Sequence, residues 1–175
     1  NEAVKNKTKK PKKIITHVDE GKDLMKSSLN KDYDIAFIEE IAAKKDNALK
    51  AGPFGSALKK SCYVPKGYKI YGQEQVIKGD ASYGDYYVNE EKYESLKSCS
   101  INKGDILISL VGTIGRVLII PENFEPGIIN PRLVKISLHE KISARYFLIF
   151  IKSPIAKNIL DSMAHGGTMD VLNLG

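Results

Sequence analysis

The spacing of apolar residues divides the chain into three parts. Ile35, Phe37, Ile38 and Ile41 mark a short amphipathic helix ending near Ala43, after a weaker helical stretch from Lys22 to Asn30. From Lys44 the pattern becomes that of strands and loops. Gly52-Pro53-Phe54-Gly55 and Pro65-Lys66-Gly67 interrupt it, and Tyr68 to Val76 and Tyr86 to Val88 read as strands. Glu90 to Lys97 reads as a short helix, and Asn102-Lys103-Gly104-Asp105 turns the chain into Ile106 to Val111, a run typical of a buried strand. After Gly112-Thr113-Ile114-Gly115, two more strands are predicted at Arg116 to Ile120 and Ile128 to Leu138. The last third is helical. Ser143 is placed to cap a helix through Lys152, and Ser153-Pro154 to open a second one, with Ile155, Ile159, Leu160 and Met163 on one face and a stop at Gly166-Gly167. The expected fold class is mixed α/β (α+β), a β-rich central sheet flanked by helices.

At 175 residues the chain fits one main domain, which should bury roughly 70% of its unfolded surface without disulfides or metals. The most apolar stretch, Ile106 to Ile114, is far short of the roughly 18 residues a membrane span needs. A basic N-terminus without a secretory signal, and only two cysteines, Cys62 and Cys99, point to a reduced, cytoplasmic protein.

Net charge is +6 at neutral pH, and its distribution is uneven. Residues 1–13 carry six lysines against Glu2, which reads as a basic disordered leader or linker. Residues 44–69 carry seven lysines against Asp46, among glycines and tyrosines able to face a phosphate chain. Residues 14–43 and 70–130 are each net acidic.

No catalytic constellation appears. His17, His139 and His165 stand apart from any metal-ligand spacing, and surface or capping positions account for them. Gly112-Thr113-Ile114-Gly115 lacks the Lys-Ser/Thr of a P-loop and reads as a strand-to-strand turn. Asn130-Pro131-Arg132 lacks the second proline and the aromatic of an adenine-methyltransferase element, and Glu90 with Lys92 fits a solvated helix start better than a nuclease centre. Neither catalytic residues nor a metal nor a cofactor is expected.

Five segments in order carry a resemblance. Ala51-Gly52-Pro53-Phe54-Gly55-Ser56-Ala57-Leu58-Lys59-Lys60 and Tyr71-Gly72-Gln73-Glu74-Gln75-Val76 resemble the opening of a target recognition domain of the Type I restriction-modification DNA specificity subunit. Lys103 to Ser109 with Gly112 to Arg116, then Ile128 to Leu133, and finally Tyr146 to Pro154 with Gly166-Gly167-Thr168 and Leu172-Asn173, are similar to its later strands and closing helices. The resemblance covers residues 37–175 and leaves 14–36 unassigned. It implies a non-catalytic domain reading one half of a split target in double-stranded DNA. The implied partners are DNA methyltransferase (modification) subunits and a restriction/translocase subunit; the alternative is a recognition domain from a fused single-chain (Type IIG-like) methyltransferase-endonuclease.

Such a domain holds phosphates and reads base edges in the major groove. For phosphate contact the candidates are Gly55, Ser56, Lys59 and Lys60. For base readout they are Gln73 and Gln75, expected two apart on one strand face, with Arg116 and Arg132 for guanine. An exposed polar strand face would equally explain the glutamines, and a salt bridge Arg116.

Overall fold

The computed structural model describes residues 36–111, 113 and 115–164, all within a unit that begins at Ala36. The leader, the helical stretch expected at 22–30 and the stop at Gly166-Gly167 lie outside the described residues. The elements run α1 (Ile38–Ile41), β1 (Leu49–Ala51), β2 (Tyr68–Tyr71), α2 (Gln73–Lys78), β3 (Tyr87–Val88), α3 (Glu90–Ser95), β4 (Ile106–Ser109), β5 (Val117–Ile119), β6 (Gly127–Ile129), β7 (Leu133–Ile136), α4 (Ala144–Ile151) and α5 (Pro154–Ala164). Single 3-10 turns occur at Lys60–Cys62 and Lys97–Cys99.

Two sheets form. One has the order β1-β7-β4-β5, antiparallel throughout, with Leu49 opposite Ile136, Leu107 opposite Lys135 and Leu107 also opposite Leu118. The other has the order β3-β2-β6, in which β2 runs antiparallel to β3 and parallel to β6.

All four residues of β4 are buried, because the larger sheet is covered on both faces. Ile106 and Ile108 join Val117, Val134 and Ile136 in a core closed by Phe147 and Ile151 of α4. Leu107, Leu118 and Leu133 face the opposite way, into a core shared with Ile70, Tyr71, Ile128 and Ile129 of the second sheet and Val76 of α2. Each such side chain contributes ~1.5–3 kcal/mol by leaving water. This two-sided burial is why the strand reads as a continuous apolar run.

The two closing helices start as their sequence predicts. Ser143 Oγ accepts the Tyr146 N–H at 3.3 Å and Ser153 Oγ accepts the Ala156 N–H at 3.2 Å, each satisfying a donor left open in a first helical turn. Among the described residues no helix is long and apolar enough to cross a membrane. Cys62 and Cys99 are both free thiols.

Two expectations are corrected. The strand predicted over Tyr68 to Val76 ends at Tyr71, and Gln73–Lys78 is helical, capped at its C-terminus by Gly79 with φ of 71°. A glycine adopts that left-handed conformation without steric cost. The strand predicted over Ile128 to Leu138 is two strands in different sheets. Asn130 Oδ1 accepts the Arg132 N–H at 2.9 Å, and Asn130 O accepts the Leu133 N–H at 3.2 Å, so Asn130-Pro131-Arg132 forms a tight turn between them. The strand β1 has no counterpart in the sequence reading. Its three residues are held on the β7 edge by pairing.

Candidate nucleic-acid interface

The larger sheet has a closed end and a loop end. At the closed end, Gly104 N–H donates to Ile120 O at 2.9 Å and Asp105 is 2% exposed. Asp105 accepts from Ser137 Oγ at 2.5 Å and from the Asn102 N–H at 2.8 Å. Lys135, also buried, donates from Nζ to Ser100 O. Burial pushes the Lys135 ammonium below its usual pKa, and the nearby Asp105 charge opposes that shift. The Lys-Gly-Asp segment is thus structural.

The second sheet holds another buried cation. Lys69 is 1% exposed and its Nζ donates to Ser82 O at 2.7 Å and Glu125 Oε1 at 2.6 Å. Beside it, Tyr71 OH donates to Glu125 O at 2.7 Å. Burial is the main cause of the raised Tyr71 pKa, reinforced by Glu125.

At the loop end four segments meet. The Gly52 N–H donates to Leu133 O at 2.8 Å, and a Cβ on Gly52 would sit 1.8 Å from Asn130 O, so only glycine permits this approach. The Asn130 N–H donates to Tyr71 O at 2.8 Å, and the Leu110 N–H donates to Arg132 O at 2.9 Å. The chain turns back between Val111 and Arg116, with the Gly115 N–H donating to Ser109 O at 3.2 Å. Gly52 and residues 72–73, 110–111, 115–116 and 130–132 therefore meet at one end.

Gln73 links two of these segments by side chain. Its Nε2 donates to Ser109 Oγ at 2.8 Å and to Val111 O, while Oε1 accepts from Arg132 Nη1 at 3.3 Å. Arg116 and Arg132 are exposed and neither forms an ion pair among the described residues. The salt bridge considered for Arg116 is absent from that set.

Gln75 does not share Gln73's surroundings. The two were expected on one strand face; on a helix, residues two apart point about 200° from each other. Gln75 is 3% exposed, accepts the Gly72 N–H at 2.9 Å through Oε1 and donates from Nε2 to Tyr83 O at 2.8 Å. Both ends of its amide are spent inside the protein, so the expected base readout by Gln75 has no free edge to use. A glutamine three residues after Gly72, with Gly79 beyond, was the available signal for this helix start.

Of the phosphate candidates, Gly55 and Ser56 are exposed, and their N–H groups have no hydrogen-bond partner among the described residues. Lys59 and Lys60 are exposed, Lys59 preceding and Lys60 opening the 3-10 turn that follows, and neither ion-pairs within that set. Phe54, between buried Pro53 and the open Gly55, is 90% exposed. Sequence reading passed over it, because nothing in a Gly-Pro-Phe-Gly segment says which way its ring points.

The Tyr68 and Tyr93 rings stack at 3.8 Å and those of Tyr63 and Tyr86 approach to 5.3 Å. These four tyrosines thus pack in pairs. Among the described residues no cluster of His, Cys, Asp and Glu fits a metal ion.

No curated protein matches the chain. Solved structures do. One, from work on complex assembly and conformational transition of the type I R-M system, has a TM-score of 0.54 at 12% identity, covering 90% of this chain and 38% of that one. The HsdS subunit from Thermoanaerobacter tengcongensis gives 0.48 at 14% identity, with 79% and 34% covered. The type I restriction-modification S subunit from M. genitalium gives 0.46 at 16%, with 83% and 33% covered. The first of these is a likeness of fold, and the chain spans little more than a third of the length of that relative. The family model for the Type I restriction modification DNA specificity domain matches residues 5–175, including the 14–36 stretch the motifs left unassigned, and the chain belongs to that family.

Proposed function

We propose that this non-catalytic specificity domain reads one half of a split target in double-stranded DNA with its loop end, and that partner methyltransferase and restriction/translocase subunits act where it binds. Two exposed arginines at the loop end, Arg116 and Arg132, neither with an ion pair among the described residues, support this reading most strongly. An exposed guanidinium retains donors in a fork that fits O6 and N7 of guanine, whereas the free amides of Gly55 and Ser56 suit phosphate oxygens. Phe54 adds an apolar surface able to meet a thymine methyl or a base step.

Mapping methylated bases in the source genome supplies the target without any structure. The assembled methyltransferase complex is then bound to duplexes carrying that motif and to scrambled duplexes at one salt concentration. Tighter binding to the motif, lost when Arg116 and Arg132 are both replaced by Ala, is the expected result. Equal binding to both duplexes by the unmodified complex would refute the proposal.

A further inference from the structure

We infer that Gln73 is a positioning residue, which fixes the Arg132 guanidinium for guanine readout and does not itself read a base; this rests on the proposed DNA-facing role of the loop end. The reason is how the Gln73 amide is spent. Both Nε2 donors are turned inward, to Ser109 Oγ and Val111 O at the exit of β4. A glutamine pairs with adenine by donating to N7 while accepting from N6, and no donor is left for that. The orientation is also determined. Exchanging amide N and O would set the carbonyl against Val111 O and the NH2 against the guanidinium, both repulsive. Oε1 therefore faces Arg132 Nη1.

Arg132 is held at three places. Its N–H donates to Asn130 Oδ1 at 2.9 Å, its carbonyl accepts from the Leu110 N–H at 2.9 Å, and its side chain meets Gln73. A free arginine loses considerable rotamer freedom on binding, and one already directed loses less per contact. Among the described residues no carboxylate pairs with Arg132, so its charge and remaining donors are left for a ligand. Gln73 thus aims Arg132 without neutralising it. The pair lies 59 residues apart in sequence, bridging the start of α2 and the turn before β7.

A double-mutant cycle tests the inference in the assembled complex. Binding is measured to the mapped motif and to duplexes in which each G·C pair is replaced in turn, for the wild-type chain, Gln73→Ala, Arg132→Ala and the double variant. Arg132→Ala is expected to lose about tenfold discrimination or more at one G·C pair. Gln73→Ala should lose part of the discrimination at that same pair, and should add nothing once Arg132 is alanine. Should Gln73→Ala fail to fold, Gln73→Met keeps most of the volume while removing the polar atoms. Preference lost at a different base pair, or full multiplicative effects of the two substitutions, would overturn the inference and leave Arg132's own readout standing. Uniform weakening of all duplexes by Arg132→Ala would place that residue on phosphate and overturn both.

Discussion

The inward face of β4 and β7 carries polar groups at both ends, and the two ends differ in whether those groups have partners. At the closed end Asp105 receives Ser137 and Asn102, and Lys135 reaches Ser100, so that charge and dipoles are satisfied within the protein. At the loop end Ser109 receives Gln73, yet the arginines beyond it stay exposed and without a carboxylate among the described residues. A buried charge that loses its partner is costly, which makes the closed end a matter of stability. A charge left exposed with ready donors costs the fold little and serves a ligand. The contrast separates what holds the domain together from what it presents.

The largest expected effect is at the closed end. Asp105→Ala strips the acceptor from Ser137 and Asn102 and removes the charge that supports Lys135, and should cost about 3–5 kcal/mol. Urea unfolding checks it; an unmoved midpoint would mean that this end is closed by packing alone. Gln75→Ala should cost about 1–3 kcal/mol by leaving the Gly72 N–H and Tyr83 O unpaired. Its partner experiment is base preference, which should not change in the folded complex, in contrast to Gln73→Ala.

Tyr71→Phe removes one hydrogen bond to Glu125 and should cost about 1 kcal/mol near neutral pH. Its sharper signature is alkaline. Because burial raises the Tyr71 pKa above the ordinary 10.0, the unfolded chain releases that proton first, and stability falls as pH rises above 10. The phenylalanine variant should show a flatter decline in unfolding free energy over that range, while Lys135, shifted downward, contributes with the opposite sign in both proteins. The smallest effect on the fold is expected for Lys59→Ala with Lys60→Ala, which should leave the unfolding midpoint in place. If both lysines meet phosphates, the log-log salt dependence of binding becomes shallower by about 1.8, two contacts at ~0.9 each, for every sequence alike. A change in discrimination instead would move these lysines to the reading face.

How far the sequence could be read depended on whether the cause of each element was local. The strands β4 and β5 and the helices α4 and α5 were legible, since two-sided burial leaves an apolar run and Ser143 and Ser153 cap their own helices. Beyond Tyr71 the reading failed, because Tyr71, Gln73 and Gln75 alternate as a strand would, while the Gly72 to Gln75 bond and Gly79 impose a helix. Pro131 within an otherwise strand-like run was a warning that pairing could not continue. Strand β1 left no readable signal, as three residues have no period and depend on β7 for their hydrogen bonds.

Of the candidate site, the residue types and two of the loops were visible: glycine, proline and lysine mark surface turns wherever they fold. The family was also carried by the order of its motifs, and the match over residues 5–175 agrees. What only the tertiary structure decided is the direction of each polar side chain. Gln73 and Gln75 are chemically identical and nearly adjacent, but Gln75 bonds within its own neighbourhood, to residues three and eight positions away, and is buried. Gln73 is oriented by Ser109 and Arg132, 36 and 59 residues distant, which β4 and the turn before β7 deliver to it. Periodicity and caps act over a few residues and are written along the chain, whereas the partner of a long-range hydrogen bond exists only once the two sheets have brought their loops to one end.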